Sequence, residues 1–364
     1  MRSVPALIVG GGPAGAAVAL RLAQAGLPHL LIERSREVGD ALCGGFLSWR
    51  SLATLARMGV TADELNPRPV RRTRLFAGGQ VAEARLPQAG VGVSRRRLDT
   101  VLIARAVATG AAVERGVAAR SIAGRSVAVD GATIACDTLF LASGKHDVRG
   151  AARAVVRAAD PTLGLRVRLP VDPVLTRLVG DAVELHLFDR GYAGLVLQED
   201  GSANVCMAVH RSRLAAVGDP AALLAELGRE LPALGERLVR AAGPPSVDAV
   251  ANVPYGWRTG DTAPGVYRLG DQAAVIPSLA GEGMGIALAS GLAAAAAYVR
   301  DDGAERFQRR FHAATARPVR IAGLIRAVAE SPAAAPWLVR AARAPLLTWL
   351  AARLTRIDAA GQSA

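Results

Sequence analysis

One segment near the start of the chain constrains the fold more tightly than any other. The apolar run Val4-Pro5-Ala6-Leu7-Ile8-Val9 predicts a strand, and it feeds directly into Gly10-Gly11-Gly12-Pro13-Ala14-Gly15. An alanine-rich helix then extends to Gly26, and a second strand, His29-Leu30-Leu31-Ile32, ends on Glu33. Gly10 permits a tight turn, Gly12 lets a pyrophosphate approach the backbone, and Gly15 lets the helix lie close to the sheet. Pro13 suits the first helical turn, where free N–H groups and the positive end of the helix dipole attract phosphate. Glu33 is placed to accept hydrogen bonds from a ribose diol. A Gly-x-Gly-x-x-Gly alone says little. In register with strand, helix, strand and terminal acid, it predicts an adenine dinucleotide.

Composition removes several alternatives. The chain has 364 residues, 51% of them apolar, enough for a substantial core. No stretch reaches the roughly 18 apolar residues needed to span a bilayer. The longest candidate, from Ile286 to Val299, is alanine-rich and predicts a buried helix. Strand and glycine turn begin at once, with no signal-peptide pattern, so the expected location is the cytoplasm. Cys43, Cys136 and Cys206 show no Cys-x-x-Cys spacing, and the five histidines form no ligand pair, so no metal centre is expected. The net charge of +13 comes from arginines spread along the chain, with Lys145 the only lysine. No aromatic pattern of RNA recognition accompanies them, so nucleic acid is not an expected partner. Such charge also suits an anionic membrane surface or an acidic carrier protein.

Farther on, Ser48 to Met58 predicts a helix, and residues 70 to 93 predict short antiparallel strands. Ser94 caps a helix through Ala108. Strands follow at Ala112 to Val117, Ser126 to Val129 and Thr138 to Ala142, with Asp130-Gly131 as a hairpin turn. Residues 162 to 253 change to longer alternating runs with two helices between Asp219 and Ala242, an antiparallel sheet inserted into the nucleotide domain. Val266-Tyr267-Arg268-Leu269 then ends at Gly270-Asp271, and a loop with Pro277, Gly281, Gly283 and Gly285 enters the helix ending at Val299. Asp271 is placed to bind a ribityl hydroxyl. This second nucleotide contact lies far from the first, which one continuous dinucleotide fold would not require.

In this order the motifs resemble the FAD-dependent oxidoreductases of the p-hydroxybenzoate hydroxylase fold, in the geranylgeranyl reductase-like and group A flavin monooxygenase-like branch. They are Gly10 to Gly15 with Glu33-Arg34, Cys43-Gly44-Gly45, Ser94-Arg95 with Leu98-Asp99, Ala142-Ser143-Gly144-Lys145-His146-Asp147 with Arg149, Gly191-Tyr192, Gly270-Asp271 and Gly281-Glu282-Gly283. The resemblance implies an α/β fold in which a Rossmann-type FAD-binding domain interleaves with an antiparallel-sheet substrate domain and carries a C-terminal helical segment. The FAD-binding domain would comprise 1–75, 91–160 and 254–316. The substrate domain would take 76–90 and 161–253, and the helices 317–364. FAD would meet Gly10, Gly12, Pro13, Ala14, Gly15, Glu33, Arg34, Cys43, Gly44, Arg95, Val117, Gly144, Asp271, Pro277, Gly281, Gly283 and Met284. Tyr192 would face the substrate.

Three departures from the family pattern bear on the chemistry. Ser143-Gly144-Lys145-His146-Asp147 stands where hydroxylases of this fold often carry an Asp-Gly motif linked to NAD(P)H, so NAD(P)H or another electron donor remains open. Gln272-Ala273-Ala274-Val275 lacks the histidine often found after Gly-Asp. Tyr192-Ala193-Gly194-Leu195-Val196-Leu197 replaces the aromatic-rich segment of typical geranylgeranyl reductases. A flavin supplies the redox chemistry, and the protein orients and shields it. The candidate catalytic residues are Tyr192, Cys43 and His186, against packing roles for each; Glu282 and Arg50 are further candidates near the cofactor.

The expected activity is that of an FAD-dependent oxidoreductase acting on a hydrophobic polyketide, phenolic or lipid-like molecule. Hydroxylation is slightly preferred, and reduction or oxidation of a carbon–carbon bond is the close rival. A non-catalytic flavin-binding sensor is the third reading. From about Arg317 to Ile357 the chain predicts helices broken at Pro332, Pro336 and Pro345, with Trp337, Leu346, Leu347, Trp349 and Leu350 among arginines. They either pack over the substrate domain or touch a membrane peripherally.

Overall fold

The apolar run of the opening strand can be buried on both faces only if it lies inside a sheet, and it does. In the computed structural model, which describes residues 2–156, 158–241, 243 and 246–357, Arg2–Val9 sits centrally in a seven-stranded sheet. It pairs in parallel with Leu30–Glu33, where Leu7 lies opposite Leu30, and with Ala132–Leu141, where Leu7 lies opposite Leu139. Ala132–Leu141 is longer than the strand expected from Thr138. Its first residues take Ser126–Val129 in an antiparallel hairpin, and its last three take Val266–Arg268 in parallel. A segment more than 120 residues downstream is thereby returned beside the glycine turn. The helix Gly283–Val299 then packs on Pro13–Gln24 so closely that a Cβ on Gly291 would lie 2.4 Å from the Ala14 carbonyl oxygen. The start of the first helix is thereby seated against the middle of the second.

The second sheet has eight strands. In spatial order they are Val247–Val253, Thr162–Leu169, Ala203–His210, Gly191–Leu197, Ala182–Phe188, Pro69–Ala77, Gln80–Gly92 and Phe46–Leu47. All pairs are antiparallel except Ala182–Phe188 with Pro69–Ala77. Alternation along these strands places one set of apolar residues against the helices Pro173–Val179, Pro220–Glu230 and Pro232–Leu238. The other face meets the C-terminal helices, with Leu187, Tyr192 and Ala208 packed near Ala335, Val339 and Ala342.

Two features differ from the sequence pattern. Residues 69–92 form one long hairpin wholly inside the second sheet, so the boundaries expected at 76 and 90 cut through its strands. The periodic pattern sees only alternation and turn glycines, not the partner strand at Ala182–Phe188. The helix Ala304–Ala329 also runs unbroken through Pro318, across the division expected at 317. The helices Ala335–Ala342 and Pro345–Leu354 follow, and residues 358–364 of the expected helical segment lie outside the described residues.

Candidate active site

A cavity of about 990 Å³ runs from the glycine turn to the second sheet and on to the C-terminal helices. Its first wall is made of backbone. Gly10 has φ +106, and a Cβ there would lie 2.5 Å from the Ala142 carbonyl oxygen. Gly15 is closed from the other side, where a Cβ would come 2.0 Å from the Gly10 carbonyl oxygen. Only glycine lets this turn close. Gly12 precedes the helix Pro13–Gln24 with extended backbone, and among the described residues no side chain caps that helix. Its first N–H groups therefore face the cavity with the helix dipole behind them. The helix Gly283–Val299 likewise has no side-chain cap among the described residues, and Gly283 and Met284 line the same space.

Charged side chains surround these two helix starts. Glu33 accepts hydrogen bonds from the Gly11 N–H at 2.7 Å and the Ser35 N–H at 2.9 Å, which fixes its carboxylate at the strand end. Arg95 is clamped by Asp99 through bonds of 2.9 and 2.6 Å. Burial opposes the Arg95 charge, but Asp99 holds its pKa above the ordinary value. The guanidinium lies so near the turn that a Cβ on Gly12 would be 3.1 Å from it. Across the cavity, the Lys145 ammonium is 3.8 Å from Asp271 and donates to the Leu42 carbonyl at 3.2 Å. Burial works against its charge too, yet the nearby Asp271 raises its pKa.

The loop carrying Cys43 lines the same cavity as Gly281 and Gly283. Asn204 on the second sheet holds it, donating from one amide nitrogen to the Cys43 and Gly44 carbonyls at 2.9 and 3.0 Å. Arg166 ties the same loop down by bridging Asp40 at 2.7 Å and Asp248 at 2.5 Å. Beyond the loop the cavity becomes an apolar arm lined by Leu75, Leu86, Val183, Leu185 and Leu187 from the sheet, with Leu338 and Leu347 from the C-terminal helices.

Of the residues expected to meet the cofactor, Gly10, Gly12, Pro13, Ala14, Glu33, Arg34, Cys43, Gly44, Arg95, Val117, Gly144, Asp271, Gly281, Gly283 and Met284 all line this cavity. Gly15 and Pro277 do not. Gly15 acts through the turn, and Pro277 sits just behind the short helical turn Ser278–Ala280. Two of the three candidate catalytic residues also stand away from the space. His186 is fully buried, stacked on Phe76 at 4.4 Å, with Nε2 donating to Glu184 at 3.3 Å. Burial lowers its pKa, and its place is inside a charged cluster of the scaffold. Tyr192 is buried with its hydroxyl turned to the loop, sharing a hydrogen bond of 2.5 Å with the Ser278 hydroxyl and accepting from the Leu279 N–H at 2.8 Å. The phenol that does line the cavity is Tyr255, which shares a 2.7 Å hydrogen bond with the same Ser278 hydroxyl. Burial raises the pKa of both tyrosines, so both keep their protons.

Sequence pattern alone missed Tyr255, Ser278, Lys145 and Arg166. Lys145 carried a visible signal as the sole lysine, directly after the Ser143-Gly144 strand end. Tyr255 lies at a strand end beside Pro254 and shows none. Glu282, at the start of the second helix, faces away from the cavity. It accepts from the Ser48 hydroxyl at 3.2 Å and pairs with Arg356 at 3.1 Å. Arg356 itself lines the cavity and lies over the Trp49 ring, 5.4 Å from its centroid.

Residues 3–148 match the family described as an FAD binding domain. The menaquinone reductase of Mycolicibacterium smegmatis is 28% identical over 328 residues, covering 79% of this chain and 75% of its own. Digeranylgeranylglycerophospholipid reductase 2 of Methanopyrus kandleri is 28% identical over 335 residues, covering 84% of this chain and 80% of its own. A geranylgeranyl bacteriochlorophyll reductase-like protein from Thermoplasma acidophilum has the same fold, with a TM-score of 0.73 at 21% identity over 97% of this chain and 95% of that one. PqsL of P. aeruginosa, solved with 2-aminobenzoylacetate, gives a TM-score of 0.70 at 15% identity over 93% of this chain and 100% of that one.

Proposed function

As an FAD-dependent oxidoreductase, this chain has room for a second, apolar reactant, and we propose that it reduces a carbon–carbon double bond in a lipid-like molecule such as a prenyl chain. The observation that carries this reading is the continuous cavity, polar and glycine-walled at one end and aliphatic at the other. The curated relatives named as reductases of menaquinone and of a geranylgeranyl phospholipid support it over the hydroxylation that the sequence slightly favours.

The residues present fit FAD. Gly10, Gly12, Pro13 and Ala14 would take the pyrophosphate, with Arg95 beside them, Glu33 the adenosine ribose and Asp271 the ribityl chain. Gly281, Gly283 and Met284 would border the ring, opposite Cys43 and Gly44. Nothing lies within 4 Å of where a Cβ would stand on Gly44, Gly144 or Gly283, so these positions leave the open space a planar ring needs. Reduced FAD supplies a hydride when bound. The chain's own task is to hold the substrate alkene in the aliphatic arm, keep water out, and give the second alkene carbon a proton. Tyr255 is placed to hold that proton at Oη, its hydroxyl oriented by the hydrogen bond to Ser278 that Tyr192 holds in turn, and water entering as product leaves restores the proton. Cys43 Sγ is the second candidate donor. The spent cofactor then needs an external two-electron donor, NAD(P)H or another.

The test is anaerobic. Dithionite-reduced holoenzyme mixed with menaquinone or a geranylgeranyl phospholipid should regain oxidised-flavin absorbance and give a product that is still heavier by two hydrogens after any quinol has been reoxidised to quinone in air. A product formed only with oxygen, and heavier by one oxygen atom, would establish hydroxylation instead. Tyr255→Phe should slow anaerobic reoxidation about 100-fold, with flavin content unchanged and a smaller effect for Tyr192→Phe.

A further inference from the structure

The last two described helices have two faces of opposite kind. Along Pro345–Leu354 and just beyond it, Thr348, Ala351, Ala352 and Thr355 line the cavity at helical spacing. The opposite positions, Leu346, Trp349, Leu350 and Arg353, face outward, with Leu346 71% and Leu350 42% exposed. The preceding helix repeats the arrangement, with Leu338 and Ala341 inward and Trp337 outward at 64% exposure. Leu347 belongs to both faces, being 50% exposed and lining the cavity, so it marks an edge where cavity and outer surface meet.

An outer surface of leucine and tryptophan is costly in water and needs a cover. Its charge states what kind. From Ser331 to Ile357 the sequence contains no acidic residue, while Arg340, Arg343 and Arg353 are exposed beside the apolar side chains. Arg340 lies over the Trp337 ring at 4.7 Å and Arg353 over the Trp349 ring at 4.6 Å. Each guanidinium is thereby held level with an indole, the arrangement that suits the boundary between acyl chains and anionic headgroups. An acidic protein would satisfy the arginines but would leave the leucines and tryptophans uncovered. Among the described residues no helix is long and apolar enough to cross a membrane, so the contact is with one leaflet.

We infer that Ala335–Ala342 and Pro345–Leu354 dock in the surface of an anionic bilayer, and that the Leu347 edge is where a lipophilic substrate passes between leaflet and cavity. The inference rests on the reading that the cavity takes a lipid-like molecule. The experiment reads partition rather than turnover, so it can fail while that reading stands, and the reverse. Full-length FAD-loaded protein is floated with vesicles of phosphatidylcholine alone, or with one quarter phosphatidylglycerol. It should float with the anionic vesicles at low salt and remain partly bound at high salt, because the apolar part of the contact is not screened.

Arg340→Gln and Arg353→Gln should each weaken anionic-vesicle binding about fivefold. Trp337→Ala with Trp349→Ala should weaken it about tenfold or more, while flavin content stays that of the parent. In the unaltered protein, acyl chains carrying bromine should quench tryptophan fluorescence, a readout that needs no variant. Failure to float with anionic vesicles overturns the inference. So does binding that disappears wholly at high salt and ignores the tryptophan substitutions, which is the behaviour of a purely electrostatic contact with an acidic partner.

Discussion

At one end of the cavity the wall is backbone: Gly10, Gly12, Gly144, Gly281 and Gly283 leave main-chain groups and two helix starts facing the space. At the other end it is side chain, with leucines and valines from one sheet and two C-terminal helices. The backbone end suits what every member of a cofactor class shares, phosphate and sugar, and it tolerates almost no change in shape. The side-chain end suits bulk and apolarity, and each of its residues can be exchanged for another of similar size. The two ends therefore differ in what holds them up. The first depends on close approaches between main-chain atoms. The second depends on a buried charged cluster in the scaffold behind it, where Glu184 receives Arg74 at 2.6 Å and Arg237 at 2.7 Å.

The sharpest way to break this contrast is Gly15→Ala. One methyl group would have to fit 2.0 Å from the Gly10 carbonyl oxygen, a main-chain atom that cannot swing aside, and 3.2 Å from the Ile8 Cγ2. The loss should exceed the ~3 kcal/mol usual for an overpacked core, and the purified protein should be colourless. A yellow, stable Gly15→Ala protein would mean that the turn is not held by this approach.

Next in size is Arg237→Ala. Glu184 is fully buried, and burial alone would raise its pKa; bonds from His186 and Arg237 instead hold it down at about 2. Its pKa is depressed on folding, so its stabilising contribution is complete above the ordinary 4.5 and is lost as pH falls toward about 2. Removing Arg237 leaves that buried charge to Arg74 and His186 alone and should cost about 3 kcal/mol in urea unfolding, with flavin content retained in the protein that remains folded. Adding Glu184→Gln should restore part of the loss. If Arg237→Ala instead strips the flavin, the two ends are not supported independently.

The same contrast explains what could be read from sequence. A backbone site requires glycine at set spacings, and glycine, strand and acid in register are visible in one dimension. That is why Gly10 to Gly15, Glu33 and Gly270-Asp271 point to one nucleotide by their pattern alone, and why most of the residues named with them line one cavity. The side-chain end has no such spacing. Tyr255, Ser278 and Tyr192 come together from three segments, and nothing in the sequence says that Tyr192 turns its hydroxyl to Ser278 while Tyr255 keeps the cavity position. His186 misled for a related reason. A histidine on an alternating strand looks the same whether it faces a cavity or the Glu184 cluster, and the face was decided by Arg74 and Arg237, each far away in the chain.

The smallest effect concerns a second buried glutamate, which behaves opposite to the first. Glu282 is 1% exposed, just before the helix Gly283–Val299. Burial pushes its carboxyl up from 4.5 to about 7, against the opposing pull of Arg356 and Ser48. Glu184 takes charged hydrogen bonds from Arg74 and Arg237, whereas the Ser48 bond to Glu282 comes from a neutral hydroxyl, so desolvation wins at Glu282. Its pKa rises on folding, so the protonated carboxyl stabilises the fold fully below about pH 4.5, and that contribution disappears as pH rises through 7. The shift corresponds to about 3 kcal/mol at most. Urea midpoints should therefore fall between pH 5 and pH 8, and Glu282→Gln should flatten the fall. A slope that persists in the glutamine variant would mean that Arg356 keeps Glu282 ionised across this range. The loop bordering the flavin site would then rest on an ion pair, as the scaffold at Glu184 does, and the two ends of the cavity would share one kind of support after all.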